Sequence, residues 1–293
     1  MDNEFLLYDR IEIIKATLKD KQDKCYISFS GGKDSTVLHY LVDLALPNNK
    51  IPRVFINTGI EYEDIVNFVK ELANKDERFI ILNPTKSIKK VLEEKGYPFK
   101  SKQHSRNVGV YQRNGMTLTN EKYLGLSTKK IFLCPNCLKY QFTSNFHIKI
   151  SDECCNELKK KPIRQWEKEN NRPITLTGMR SEEGGYRNYQ KNCAVFKGKE
   201  LIKFHPLKVV SNEWMDWFIE KQGIKLCKLY YPPFNFHRTG CKGCPFSIDL
   251  QEQLDVMEKY LPKERKQCEI IWKPIYEEYR RLGYRLKENK DEL

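Results

Sequence analysis

No stretch of this chain approaches the roughly 20 consecutive apolar residues of a membrane span. Its opening residues, Met1-Asp2-Asn3-Glu4-Phe5-Leu6-Leu7, are too acidic and too short in apolar residues for a secretory signal. Membrane and secreted classes are therefore not expected, and a cytoplasmic setting is. Low-complexity tracts, internal repeats and long basic runs are missing too. So is the G-x-x-x-x-G-K-S/T pattern of a Walker loop, which excludes phosphate binding by that route. The closing Lys290-Asp291-Glu292-Leu293 spells an ER-retention address. Without a secretory signal it reads as a charged, frayed tail.

What is present is enough chain, 293 residues, to bury a full core as one large domain or as one domain with an appendage. The 52 basic and 39 acidic residues leave a formal charge of +13. That excess suits a phosphate-rich ligand or a nucleic acid, but the lysines are scattered and a solvated surface fits as well. The ten cysteines are Cys25, Cys134, Cys137, Cys154, Cys155, Cys193, Cys227, Cys241, Cys244 and Cys268. In a chain of this length without a secretory signal, C-x-x-C pairs indicate metal or redox chemistry in a reducing compartment rather than a disulfide framework.

One stretch organises the rest. Ser28 to Ser35 reads S-F-S-G-G-K-D-S, between an apolar run from Cys25 to Phe29 and an apolar-faced segment from Thr36 to Val42. A glycine pair between a strand and a helix leaves backbone N–H groups at the positive end of the helix, which is an anion site. Lys33 adds a mobile positive charge, Asp34 a carboxylate suited to Mg²⁺, and Ser30 and Ser35 add hydroxyls. An ordinary tight turn with chance polar residues is the plainer alternative.

Along the chain, an amphipathic helix is expected over residues 5–20, and strands at Cys25–Phe29, Arg53–Asn57, Phe79–Leu82 and Ile174–Gly178. Helices are expected after Ser35, from about Glu63 to Asn74, and from Ser87 to about Lys95. Alternation of this kind implies an α/β fold, a parallel sheet with helices on both faces. Ligands on such sheets bind at the carboxyl ends of the strands. Ser30-Gly31-Gly32 and Asn57-Thr58-Gly59 both stand at such ends. So does the loop after Gly178, which carries Arg180 and Arg187, suited to bidentate phosphate contacts or to a surface pair with Glu182 or Glu183.

Residues 96–130 have little periodicity and read as a long loop or insertion. A helix is expected from about 138 to 150, and a lysine-rich one from Asn156 to Lys161 that Pro162 interrupts. The remainder, 249–287, reads as mostly helical. No composition shift marks a clean boundary. The organisation expected is a nucleotide-binding domain over 1–215, with an insertion at about 96–150. A cysteine-containing, mostly helical region over 216–293 packs on it. Tyr230, Tyr231, Phe234 and Phe236 suit either stacking on a base or core packing under a proline loop. His205 and His237 read as structural.

Cys154-Cys155 and Cys241-x-x-Cys244 make four thiols in two close pairs, a donor set for zinc or an iron–sulfur cluster. Cys134-x-x-Cys137 is a second candidate pair, for a zinc knuckle or a redox couple. A set of Cys134, Cys137, Cys241 and Cys244 is not excluded. Cys25, Cys227 and Cys268 read as buried thiols.

Together these residues resemble the phosphoadenosine phosphosulfate (PAPS) reductase family within the PP-loop ATP pyrophosphatase superfamily. The resemblance covers most of the chain. It rests on Ser30 to Ser35, Asn57-Thr58-Gly59, Thr177-Gly178-x-Arg180 with Glu182 and Arg187, His205-Pro206-Leu207 before Trp214, and Arg238-Thr239-Gly240-Cys241-x-x-Cys244. It implies an adenine nucleotide alpha hydrolase-like sheet. Nucleotide contacts would come from Ser28, Ser30, Gly31, Gly32, Lys33, Asp34, Ser35, Asn57, Thr58, Gly59, Gly178, Arg180 and Arg187. Lys33, Asp34 and Arg180 would be the catalytic groups.

In the iron–sulfur branch of the family a Cys-Cys pair and a later C-x-x-C hold a four-iron, four-sulfur cluster. Cys154, Cys155, Cys241 and Cys244 occupy those places in the same order, with zinc as the alternative occupant. Sulfonucleotide reductases carry a catalytic cysteine in a C-terminal E-C-G-L-H-like segment, and no cysteine follows Cys268 here. The S-G-G-K-D-S loop also looks more like the ATP-hydrolysing members. The resemblance thus implies ATP with Mg²⁺, adenylation and sulfur transfer, with a nucleic-acid substrate or a sulfur-donor protein as further partners. A reductase whose nucleophile is displaced to Cys134, Cys137 or Cys193 is the second reading. A non-catalytic, zinc-containing nucleic-acid-binding protein is the third. It fits the charge and leaves Lys33 and Asp34 unexplained.

Overall fold

Six short strands form one sheet in the computed structural model, which describes residues 2–127, 133–183 and 192–287. They are β1 Cys25–Ser28, β2 Arg53–Ile56, β3 Phe79–Leu82, β4 Ile174–Leu176, β5 Ala194–Lys197 and β6 Glu200–Phe204. Their order is β3-β2-β1-β4-β6-β5, with every pair parallel except β5 and β6. β1 lies between β2 and β4, so the chain leaves β1 toward one edge and later returns to its other side. The carboxyl ends of β1 and β4 thus flank the switch point where doubly wound sheets bind ligands.

The helices are α1 Asn3–Leu18, α2 Lys33–Ala45, α3 Glu63–Lys75, α4 Ile88–Lys95, α5 Lys102–Asn114, α6 Leu118–Leu124, α7 Lys161–Glu169, α8 Asn212–Gln222, α9 Leu250–Tyr260 and α10 Pro262–Arg281. The chain divides into two compact units. The first comprises Met1–Asn57, Glu61–Asn83 and Pro162–Gly240; the second comprises Thr58–Ile60, Pro84–Lys161 and Cys241–Leu293.

The first unit holds the whole sheet. Successive strand residues point to opposite faces, and β1 shows it. Cys25 and Ile27 join α1, α2, α8, β4 and β6 in one apolar core through Leu7, Ile14, Leu38, Trp214 and Phe218, among others. Tyr26 faces the other way, with Val54 of β2 and Trp166 of α7. Helices therefore cover both faces, as expected. Arg53 of β2 is fully buried. Its guanidinium donates to His39 Nδ1 at 3.0 Å and Asn49 Oδ1 at 2.9 Å, and pairs with Asp43.

Three expectations are corrected. Of the loop or insertion expected over 96–130, the loop is corrected, because the segment contains α5 and α6. The buried sides of these helices carry His104, Ser105, Asn107 and Asn120, so polar burial hid their period. The helix expected over 138–150 is a 3-10 helix, Asn136–Phe142, followed by irregular chain. Pro162 does not interrupt its helix. A π-helical turn, Asn156–Lys160, runs straight into α7, and the proline has no N–H to contribute where the ladder widens. Within the expected, mostly parallel sheet, β5 closes one edge as an antiparallel hairpin with β6.

Candidate nucleotide site and cysteine centre

β1 ends at Ser28, and the chain turns through Ser30, Gly31 and Gly32 into α2. Gly31 takes φ +71°, and a Cβ there would lie 2.8 Å from Ile65 Cγ2. Both the left-handed backbone and the close packing require glycine. Gly32 is the N-cap of α2 and has no side-chain cap. The N–H groups of Gly31, Asp34 and Ser35 have no hydrogen-bond partner among the described residues. Two of these belong to the first turn of a 13-residue helix, where donors and dipole favour an anion.

The serine hydroxyls act inward. Ser35 Oγ donates to Gly32 O at 3.0 Å and lies 3.0 Å from Ser30 Oγ, while Ser30 N–H donates to Ser35 Oγ at 3.2 Å. Ser35 is buried, whereas Ser28 and Ser30 are exposed. The loop is thus braced by its own side chains.

β4 delivers the opposite wall. A Cβ on Gly178 would lie 2.6 Å from Asp34 O, so this strand end packs directly on the backbone of the first turn of α2. Buried Arg180 donates through Nε to Asp34 Oδ1 at 2.8 Å and through Nη2 to Asn212 Oδ1 at 2.9 Å. Thr177 Oγ1 pairs with His205 Nδ1 at 2.7 Å, which ties the β4 end to the segment after β6. Lys33 Nζ faces Asp216 Oδ1 at 3.3 Å, and both line a cavity of about 420 Å³ together with Tyr231 and His237.

The structure therefore brings together Ser30, Gly31, Gly32, Lys33, Asp34, Ser35, Gly178 and Arg180. Asn57 follows β2 in the same unit, its N–H donating to Leu82 O at 2.8 Å. Thr58 and Gly59 belong to the second unit, where Gly59 takes φ +83°. Arg187 lies outside the described residues.

All four thiols of the proposed centre belong to the second unit. Cys154 and Cys155 open the helical segment that continues through the π-turn. Cys155 is held below the usual thiol range, first by the Cys154 thiol hydrogen-bonded to it, with Lys102, Lys159 and Lys160 adding to the effect. Cys154 is pushed up by that same bond and by burial, and it feels Cys155, Cys244 and Cys241. Burial pushes Cys244 up to about 12, with Cys241 and Cys155 adding to it. Four thiols are soft donors of the kind that bind a thiolate-held metal centre. Among the described residues, no three His, Cys, Asp or Glu side chains stand in a metal-holding arrangement. No cysteine is disulfide-bonded. Cys134 is buried and pushed up to about 11 by that burial, while Cys137 is exposed. The largest influences on Cys154 and Cys244 do not include this second pair.

The Cys241–Cys244 turn is held by α10. Trp272 Nε1 donates to Lys242 O at 3.2 Å, Tyr276 Oη to Gly243 O at 2.5 Å and Tyr279 Oη to Pro245 O at 2.8 Å. Gly243 takes φ +59°, and a Cβ there would lie 2.4 Å from Tyr276 Oη. This ladder was not foreseen. Its signal was one helix face carrying three aromatics with polar tips, spaced at four and three residues.

The sequence profile of the phosphoadenosine phosphosulfate reductase domain matches residues 24–123 and 114–247, well over half of the chain. The chain belongs to the PAPS reductase family. An uncharacterised protein of Methanocaldococcus jannaschii is 35% identical over 82 residues, which is 28% of this chain and 20% of that relative's length. Among solved structures, a PAPS reductase from Candida auris in complex with phosphate is similar at 15% identity and TM-score 0.44, covering 79% of this chain and 93% of that one. An NH3-dependent NAD synthetase from Campylobacter jejuni is similar at 13% identity and TM-score 0.43, covering 99% and 100%. A U34-tRNA thiolase from Methanococcus maripaludis, solved with its four-iron, four-sulfur cluster, is similar at 15% identity and TM-score 0.38, covering 99% and 82%. No helix among the described residues of this PAPS reductase family chain is long and apolar enough to cross a membrane.

Three of the family member's histidines are pushed down to about 4, each chiefly by burial: His39, His104 and His205. Arg53 adds to the effect at His39, and Lys203 and Lys208 add to it at His205. In the unfolded chain an ordinary imidazole titrates near about 6.5 and binds the proton more readily. Stability is therefore complete above that value and is lost as pH falls from about 6.5 toward about 4. The expected result is a urea midpoint that drops steeply across this window. A flat midpoint would show that these imidazoles are not held neutral by the fold.

Proposed function

We propose that this PAPS reductase family protein cleaves ATP between the α- and β-phosphates to adenylate an acceptor. The observation that carries this reading is the fan of unpartnered N–H groups at Gly31, Asp34 and Ser35, beside Lys33. Pyrophosphate oxygens would take those donors. Lys33 would leave Asp216 and neutralise the charge that develops on the departing pyrophosphate. Asp34 already gives one oxygen to Arg180, and Mg²⁺ would use the other. An acceptor oxygen attacks the α-phosphorus, the bond to the β-phosphate oxygen breaks, and pyrophosphate leaves. Sulfur or another nucleophile then displaces AMP.

Cys154, Cys155, Cys241 and Cys244 are proposed to hold a four-iron, four-sulfur cluster. Such a cluster would supply a sulfur-binding or substrate-orienting centre. The role of this chain's residues there is to keep the C-x-x-C turn in shape through Trp272, Tyr276 and Tyr279.

The test is anaerobic purification with iron, sulfide and zinc analysis, followed by pyrophosphate release from ATP. Lys33→Ala is expected to slow that release by about 100-fold, the scale of losing one charge-stabilising donor. Unchanged release would remove the ATP reading, and a colourless protein with one zinc would remove the cluster.

A second reading, sulfonucleotide reduction, has its own observation. Cys193 precedes β5, which runs antiparallel to β6 with Ala194 opposite Phe204, so the residue stands near the carboxyl end of β6, with its side chain packed against the apolar core. Arg10 Nη1 lies 3.8 Å from its sulfur. Sulfite release from adenylyl sulfate with a thiol donor, abolished by Cys193→Ser, would favour it.

A further inference from the structure

Tyr230 stands 197 residues after Lys33, yet its Oη accepts a hydrogen bond from the Lys33 backbone N–H at 3.0 Å. The same oxygen lies 2.7 Å from Thr239 Oγ1. Because it accepts from Lys33, the phenol can donate its own proton to Thr239. Burial, first among the causes, raises the Tyr230 phenol above its ordinary value, so it stays neutral. A neutral oxygen at this point adds no negative charge beside an anion.

The loop is built to admit this oxygen. A Cβ on Gly32 would lie 3.1 Å from Tyr230 Oη and 3.4 Å from Thr239 Oγ1. Gly32 gives α2 no side-chain cap, and Thr36 N–H closes its first turn on Gly32 O at 3.0 Å. The Lys33 N–H is the donor of that turn which is bonded to a residue distant in sequence. With this one amide tied, the orientation of the Gly32–Lys33 peptide is set. The neighbouring N–H groups of Gly31, Asp34 and Ser35, which have no partner among the described residues, are then held in a fixed relation to it.

We propose that Tyr230 and Thr239 are positioning residues for the pyrophosphate loop: the phenol oxygen caps α2 at Lys33 and pre-forms the nest of N–H groups that receives the anion. This rests on the nucleotide reading above. Neither residue touches the anion. Their contribution is to remove the disorder that binding would otherwise have to suppress.

Tyr230→Phe keeps the ring and removes only the oxygen. Titration of the full chain with inorganic pyrophosphate and Mg²⁺ is expected to show affinity about tenfold weaker, a loss of about 1.4 kcal/mol. Thr239→Val is expected to weaken binding similarly, and Thr239→Ser to restore it. The Tyr230→Phe/Thr239→Val double variant should be no worse than either single change, because the two groups act as one unit. The thermal midpoint of Thr239→Ser should equal that of wild type.

Equal or tighter binding by Tyr230→Phe, or failure of Thr239→Ser to restore affinity, would overturn the proposal while leaving the nucleotide site intact. If Tyr230→Phe fails to fold, the Thr239 pair decides the matter alone. Wild-type protein that binds no pyrophosphate would overturn the nucleotide reading and this one with it.

Discussion

Gly178→Ala is expected to disrupt the proposed nucleotide site and to cost the protein a measurable part of its stability. The added methyl would stand 2.6 Å from Asp34 O and 2.7 Å from Asp34 C, which are backbone atoms and cannot rotate away. Either the end of β4 or the first turn of α2 must shift. Overpacking of this kind costs about 1–3 kcal/mol. The functional loss should be of the same order in free energy, since a displacement of about 1 Å at such a centre costs on the order of 100-fold. Asp34 is the point displaced, and its carboxylate and N–H both belong to the proposed site. Chemical denaturation and pyrophosphate titration on the same sample check both halves. A variant of wild-type affinity would show that the β4 end is not a wall of the site.

This contact explains which parts of the site were legible in the sequence. The loop at Ser28–Ser35 stands between an apolar strand and an apolar-faced helix, so local pattern alone marks it as a strand-to-helix turn. The place of Gly178 beside it follows from topology. β4 pairs with β1 in parallel, Tyr26 opposite Thr175 and Ile27 opposite Leu176, so the two loops emerge at the same end of neighbouring strands. Chain alternation implies that each loop stands at a strand's carboxyl end, while the pairing of β4 with β1 comes from the sheet order.

Other features were hidden for physical reasons. Tyr230 caps Lys33 through a single side-chain oxygen, and nothing in its own neighbourhood distinguishes that role from packing under a proline loop. α5 and α6 bury polar residues, so hydrophobic period fails there. Their capping signals were nevertheless present: Ser101 accepts from His104 N–H and Thr117 from Asn120 N–H, and Gly115 and Gly125 follow the helix ends. Arg53 sits in a strand whose run looked apolar, and its full burial is possible because Asp43, Asn49 and His39 gather around it. Trp272, Tyr276 and Tyr279 of α10 form a buried stripe. Their polar tips do a second task that period alone does not reveal.

The last prediction concerns Arg180, the residue through which the β4 loop holds Asp34. Its guanidinium donates through Nε to Asp34 Oδ1 at 2.8 Å, through Nη2 to Asn212 Oδ1 at 2.9 Å and through Nη1 to Val210 O at 3.5 Å. The Arg180 side chain is 6% exposed and that of Asp34 28%. Removing one member of such a pair leaves the other charge without its partner. Because Asp34 retains contact with water, the cost should fall below the 3–5 kcal/mol of a fully buried pair, at about 1–3 kcal/mol. Arg180→Ala should also lower kcat/KM for pyrophosphate release by at least about 100-fold, since the Asp34 carboxylate loses the group that aims it. Arg180→Lys separates charge from geometry. An ammonium keeps the charge but cannot span Asp34 and Asn212 with a planar fork. It is expected to recover most of the stability and little of the rate. Full recovery of rate by lysine would mean that charge alone matters at this position, and the argument from the fork would fall.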